Sequence, residues 1–359
     1  MRNTPLSRFG SMLAVGVLVA AAFSFVQAAP PPEQNGGLQD RVTALEAAVS
    51  SLTQQIAALS LPASIDVNCG GGTTIQSALL SVQNHPAAVR INVFGVCTEN
   101  VRVPRNNVQI RAGAPGAGIT AANPAQPVIR TEPFGLGIRL LSLSGLTLSG
   151  GTNGVLADFG AQVQMGNCVV KNNSFAGIQI ARQSIVRLEN TVVELNGSGV
   201  SATTGALAVI NGGAVQNNSG DGVVLTDATG EIGGSAVVAS NGRYGISPSH
   251  HAVLSLNDAT VTANTITGVF VTGGSLVSLG AGATITGNMG SGISLMDTSL
   301  VHKHRALADI HITNNGSWGV VCSLPPAVAQ IIGFTLTGDI SGNASGNINC
   351  PISPGPLSQ

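Results

Sequence analysis

A glycine followed by Val or Ile recurs along most of the chain: Gly154-Val155, Gly177-Ile178, Gly199-Val200, Gly222-Val223, Gly245-Ile246, Gly268-Val269, Gly292-Ile293 and Gly319-Val320. The steps are 23, 22, 23, 23, 23, 24 and 27 residues. A second landmark keeps the same beat: Asn173, Asn196, Asn218, Asn241, Asn264, Asn288, Asn315 and Asn343. Self-similarity at a fixed short period means one supersecondary unit per repeat, each stacked on the last, which is a solenoid.

Within the unit the apolar residues alternate, as in Gly177-Ile178-Gln179-Ile180, and no helical period is present. Three short strands and three turns per coil, rising by one strand spacing of ~4.8 Å, describe an all-β parallel β-helix. Val155, Ile178, Val200, Val223, Ile246, Val269, Ile293 and Val320 then stack as an inward aliphatic ladder, with Leu225 and Leu295 also facing inward. Composition agrees: 47 glycines and 3% aromatics suit a core of small aliphatic side chains between many tight turns. The asparagines are expected to be structural, because Asn tolerates the left-handed turn conformation and stacked amides hydrogen-bond from coil to coil.

The Gly-Ile/Val-x-Ile/Val beat with its Asn turn resembles the right-handed parallel β-helix repeat of the pectin-lyase-like superfamily over about Cys69 to Cys350. Residues 91–104 resemble that superfamily's opening coils, including those of pectinesterases, and its short capping helix would correspond to Thr74 to Val82. The resemblance implies a right-handed coil. It does not select an activity, because the superfamily holds lyases, hydrolases, esterases, phage spikes and non-catalytic surface proteins. The Asp-containing strand and Gly-Arg-Pro-Trp segment of pectinesterases are absent, and Asp158-Phe159-Gly160 is a superficial echo.

Ahead of the repeat, residues 1–28 read as a secretory signal peptide: Arg2 and Arg8, an apolar run from Met12 to Val26, then a small-residue cleavage site at Val26-Gln27-Ala28. This predicts a secreted or periplasmic protein with no membrane span after cleavage. Residues 29–62 form a linker and stalk. In it Leu38, Val42, Leu45, Val49, Leu52, Ile56 and Leu59 make a heptad with β-branched residues at a and Leu at d, and Arg41 and Glu46 are spaced for an interchain ion pair. That pattern predicts a parallel coiled coil and a homo-oligomer; two strands are favoured, a trimer is open, and a single amphipathic helix folded back on the main domain is the other reading. The β-helix occupies 63–351, and 352–359 are expected to be a disordered tail.

Five cysteines in an exported chain leave at least one unpaired. Cys69 and Cys97 are 28 residues apart, as are Cys322 and Cys350, close to one lengthened coil. Adjacent coils bring Cα atoms within disulfide range, so these two bridges are expected to staple the ends. Cys168 aligns with Thr191, Gly213, Ala236 and Ala259 in an inward column of small residues and is expected to be a buried free thiol.

Charge excludes one class of partner. Only 9% of residues are charged and the net charge is −1, falling to −3 once the signal is removed, so nothing could neutralise a run of nucleic-acid phosphates. Polysaccharide cleavage needs an acid and a base on one face. Five residues past each repeat glycine runs the column Phe159, Arg182, Thr204, Asp227, His250, Gly273, Asp297. Asp227, His250, Asp297 and Arg182 are therefore the candidate catalytic residues. The segment Asp297 to His311 lengthens its coil and is expected to be a surface loop, with His302 and His304 as candidate binding residues but no ligand set for a metal. Phe175, Tyr244 and Trp318 precede repeat glycines and could form a sugar-stacking strip. No cofactor is implied. Two functions fit: an exported non-catalytic β-helix that presents a binding face to a glycan, cell surface or partner, or a polysaccharide lyase or hydrolase working through the polar column. A phage-spike role is disfavoured by the signal peptide.

Overall fold

The computed structural model describes residues 36–60, 63–131, 139–303, 309–323, 330–332, 339–350 and 352–353, in two units, 1–60 and 61–359. The expected signal peptide and His304 lie outside the described residues. In the first unit a helix runs over Gly36–Ser60, and its heptad residues Val42, Leu45, Val49 and Leu52 are exposed. Among the described residues no helix is long and apolar enough to cross a membrane.

The second unit is a parallel β-solenoid. Its strands form three sheets of 13, 11 and 11 strands among the described residues, and each coil contributes one strand to each sheet in turn. The first sheet starts with Ala63–Asn68, the second with Val96–Thr98 and the third with Val101–Val103. The expected inward ladder is the register of the third sheet: Val155, Ile178, Val200, Val223, Ile246, Val269, Ile293 and Val320 are consecutive Cα partners, each fully buried. Leu225 and Leu295 are fully buried too.

The Asn landmark is a buried amide ladder at the turn between second and third sheets. The Nδ2 of Asn173 donates to Oδ1 of Asn196 at 2.9 Å, Asn196 to Asn218 at 3.1 Å and Asn218 to Asn241 at 3.0 Å, and the chain continues through Asn264, Asn288 and Asn315 to Asn343. Each Oδ1 also accepts the backbone N–H of the preceding ladder residue, as Asn241 Oδ1 does from Asn218 N at 3.2 Å. The second Nδ2 hydrogen reaches a strand carbonyl, so that of Asn241 bonds Val215 O at 3.2 Å. A buried amide is thereby almost fully satisfied. The glycine landmark is part of the same device. A Cβ on Gly199 would lie 2.3 Å from Val215 Cγ1, 2.4 Å from Gly222 O and 3.0 Å from Asn218 Nδ2, so only glycine lets the strand pass the ladder.

The residue before each ladder Asn is left-handed, and the other two turns carry one or two left-handed residues each, such as Asn190 in one and Arg182 with Gln183 in the other. That is why Asn, Asp, Ser and Gly crowd these positions.

The N-terminal end is closed by a helix at Ile75–Ser81, bounded by Thr74 and Val82 as expected, with Ile75 and Leu79 fully buried. The Glu99 carboxylate accepts the amides of Ile75 at 2.8 Å and Gln76 at 2.9 Å, satisfying two of the helix's orphan donors. Both expected disulfides are present: Cys69–Cys97 with Cα atoms 4.8 Å apart and Cys322–Cys350 at 5.0 Å. Cys168 is free and buried, and burial pushes its thiol pKa up.

Two expectations need correction. Within Asp297 to His311, the expected loop, Leu300–Lys303 and His311–Thr313 are regular strands; His302 pairs in register with Ser278, because the alternation Leu300, Val301, His302 fits the sheet. Lys303 turns in to a buried ion pair with Asp339 at 2.8 Å. In the expected disordered tail, Ile352–Ser353 forms a strand on Gln330–Ile332, since the open edge of the first sheet offers it backbone partners.

Replacing Asn241 by Ala should lower unfolding free energy by on the order of 3 kcal/mol, because it strands amide groups on both neighbouring coils; urea denaturation measures it. Cys168 should resist a thiol reagent at pH 7 until the fold is melted, since a buried thiol of raised pKa offers little thiolate.

Candidate functional site

The polar column occupies the turn from the third sheet to the first, where every member has a positive φ: 55° at Phe159, 47° at Arg182, 54° at Thr204, 49° at Asp227, 54° at His250, 62° at Gly273 and 57° at Asp297. Asp, His and Gly are among the residues that tolerate this conformation best, so the backbone accounts for much of the column's composition. Asp227, His250 and Asp297 are exposed along one edge, and no hydrogen bond or ion pair joins them to one another. Asp297 Oδ2 instead accepts the amide of Gly273 at 3.2 Å, bracing the turn before it.

Arg182 leaves the column. Its guanidinium grips the Asp158 carboxylate through both Nε, at 2.7 Å, and Nη2, and it lies 3.8 Å over the Phe159 ring. Asp158 is buried and Arg182 is half-exposed. A forked pair on a buried carboxylate is a structural clamp with a cation–π lid.

A different cluster was not legible as a motif. Asp221, on the outer margin of the third sheet and almost buried, accepts Ser247 Oγ at 2.8 Å and the Tyr244 amide at 3.4 Å, with Arg243 Nε 3.7 Å away. The Tyr244 ring stacks on Phe270 with centroids 4.4 Å apart and planes 15° from parallel, and the Arg243 guanidinium lies 5.1 Å from the Tyr244 ring. These residues come from three successive coils. They make a partly exposed aromatic surface edged by a carboxylate and a guanidinium, on a sheet whose neighbouring outward positions are Ser201, Val224 and Ser294.

The three aromatic residues singled out in the sequence do not form one strip. Register places Tyr244 and Trp318 in one column and Phe175 one residue earlier in the turn. Trp318 lies across Gly346, where a Cβ would come within 2.4 Å of its ring, so it covers the last coil. Phe175 is 57% exposed with no ring partner among the described residues. His302 sits in its strand, half-buried.

Arg182→Ala should destabilise by about 1–2 kcal/mol, since it leaves Asp158 without its cation while the lost pair was half in water; thermal unfolding at pH 7 checks this.

Residues 137–315 match the family described as the right handed beta helix region. No curated protein matches the chain by sequence. Among solved structures the chain is similar to the A-module of the mannuronan C-5 epimerase AlgE6 of Azotobacter vinelandii, at 15% identity and a TM-score of 0.48, over 82% of this chain and 100% of that one. It is also similar to the Agl-KA catalytic domain, at 12% identity and a TM-score of 0.41, over 82% of this chain and 70% of that one. The repeat, the parallel three-sheet register and the matched family agree: the chain is a right-handed parallel β-helix repeat protein.

Proposed function

We propose that the chain is an exported, non-catalytic β-helix protein that presents the outer face of its third sheet to a glycan. The observation that carries this is the Tyr244–Phe270 stack flanked by Asp221, Ser247 and Arg243. An aromatic plane offers the C–H face of a pyranose an apolar contact, and the carboxylate and hydroxyl beside it can take hydroxyl hydrogen bonds. Export is supported by the N-terminal signal pattern and by two disulfides, which persist in oxidising compartments. The exposed heptad face of the Gly36–Ser60 helix supports assembly of several copies, so that weak glycan contacts would add as avidity.

The test is affinity electrophoresis of the purified protein against neutral and acidic polysaccharides, with assay of newly released chain ends. Binding without release is expected, weakened about tenfold in Tyr244→Ala and unchanged in Asp227→Asn and His250→Gln. Release of unsaturated or reducing ends that those two substitutions abolish would make the chain a lyase or hydrolase working through the polar column. Deleting residues 33–61 should yield a folded monomer by light scattering, because the β-helix pairs its own strands whereas the heptad face needs a partner.

A further inference from the structure

A second feature lies apart from the third-sheet face. Along the Asn turn, an open groove of about 680 Å³ crosses four coils, from Gly150 to Ser219. One wall is Pro124, carried by the long turn between the strands Gly118–Thr120 and Ile129–Thr131. Besides backbone bonds such as Thr152 N to Gln126 O at 3.0 Å, the Asn100 side chain pins that wall. Asn100 Nδ2 donates to the carbonyls of Asn123 at 3.1 Å and Pro127 at 2.9 Å, and its Oδ1 accepts the Asn123 amide at 2.7 Å.

The groove floor breaks two rules at one residue. Leu195 has φ 58°, at a position where every other coil with a ladder Asn places Asn, Ser, Ala or Gly, and its side chain is 53% exposed. A bulky apolar residue in the left-handed region costs conformational energy, and exposing it forgoes burial. Such local violations concentrate where function requires them. On the coils either side, Asn172 and Asn217 present exposed side-chain amides with no partner among the described residues. Phe175 follows the groove residue Ser174 and is exposed. Among the described residues no charged side chain lines the groove.

From this placement we infer that the groove is a binding subsite for a neutral oligosaccharide lying along the solenoid axis. Leu195 takes the apolar face of a sugar ring, and Asn172 and Asn217, one coil to each side, hydrogen-bond hydroxyls of that unit and its neighbours. Apolar contact with a few fixed polar groups is the usual chemistry of such sites. The uncharged lining leaves a carboxylated sugar with no ion-pair partner. The Asn100-held wall supplies the preorganisation that reduces the entropic cost of binding.

The test uses the intact chain with cello-, laminari-, malto- and mannohexaose, read by calorimetric titration and by hydrogen exchange. The wild type is expected to bind at least one hexasaccharide, with protection at residues 172–175 and 195–197. Leu195→Asn is the decisive variant, because Asn suits the left-handed position: its Tm is expected to equal or exceed the wild-type value while affinity falls about tenfold. Asn100→Ala should weaken the same binding by loosening the wall. Wild-type affinity in Leu195→Asn, or no hexasaccharide bound by the wild type, would overturn the inference. Protection confined to residues 221–247 and 270 would also overturn it, and would leave the third-sheet reading standing.

Discussion

The hydrogen bond from one ladder asparagine to the next is the interaction on which the regularity of this molecule depends. An amide has two donors and two acceptor lone pairs, and here nearly all are used, one coil to the next, in a site closed to water. To keep that geometry every coil must return its Asn to the same place, which fixes the turn and requires glycine where the next strand passes. Any variation in coil length has to be placed elsewhere. The 27-residue step between Gly292 and Gly319 obeys this, since Asn288 still donates to Asn315 at 3.0 Å. Its extra residues fall in sequence between the strands Leu300–Lys303 and His311–Thr313, ahead of the ladder turn.

The fold was legible because its determinants are periodic. The inward column, the Asn turn and both disulfides follow from counting along the sequence, since a solenoid converts a constant step into a spatial stack, whereas the capping helix was expected only from the family resemblance. Glycine and asparagine look like two separate landmarks in the sequence but are a single steric and hydrogen-bonded unit.

Function was legible only in part, for a related reason. Reading down one column found Asp227, His250 and Asp297, yet the contacts that organise the surface run diagonally. Arg182 pairs with Asp158, one position earlier on the preceding coil, and Asp221 is met by Ser247 from the next coil. Asp221 and Tyr244 do share a column, each just before a repeat glycine, but Phe270 and Ser247 lie off it, so no single count along the chain assembles the cluster. Leu195 did carry a signal: it is the one large apolar residue immediately before a ladder asparagine. The signal becomes readable once the left-handed backbone at that position is known.

The ladder also makes the molecule a ruler. Its amides point one way, each Nδ2 donating toward the C-terminal end, so the stack has a direction and a pitch but no built-in length. A whole coil can enter or leave without a lost hydrogen bond, whereas part of a coil cannot. Leu195 and Ser240, the corresponding turn residue just ahead of Tyr244, are two coils apart. The separation between two surface features on this scaffold is therefore quantised in steps of ~4.8 Å. Divergence by gain or loss of coils would change which spacings a β-helix of this kind can match on an extended partner, while leaving the chemistry of each site as it was.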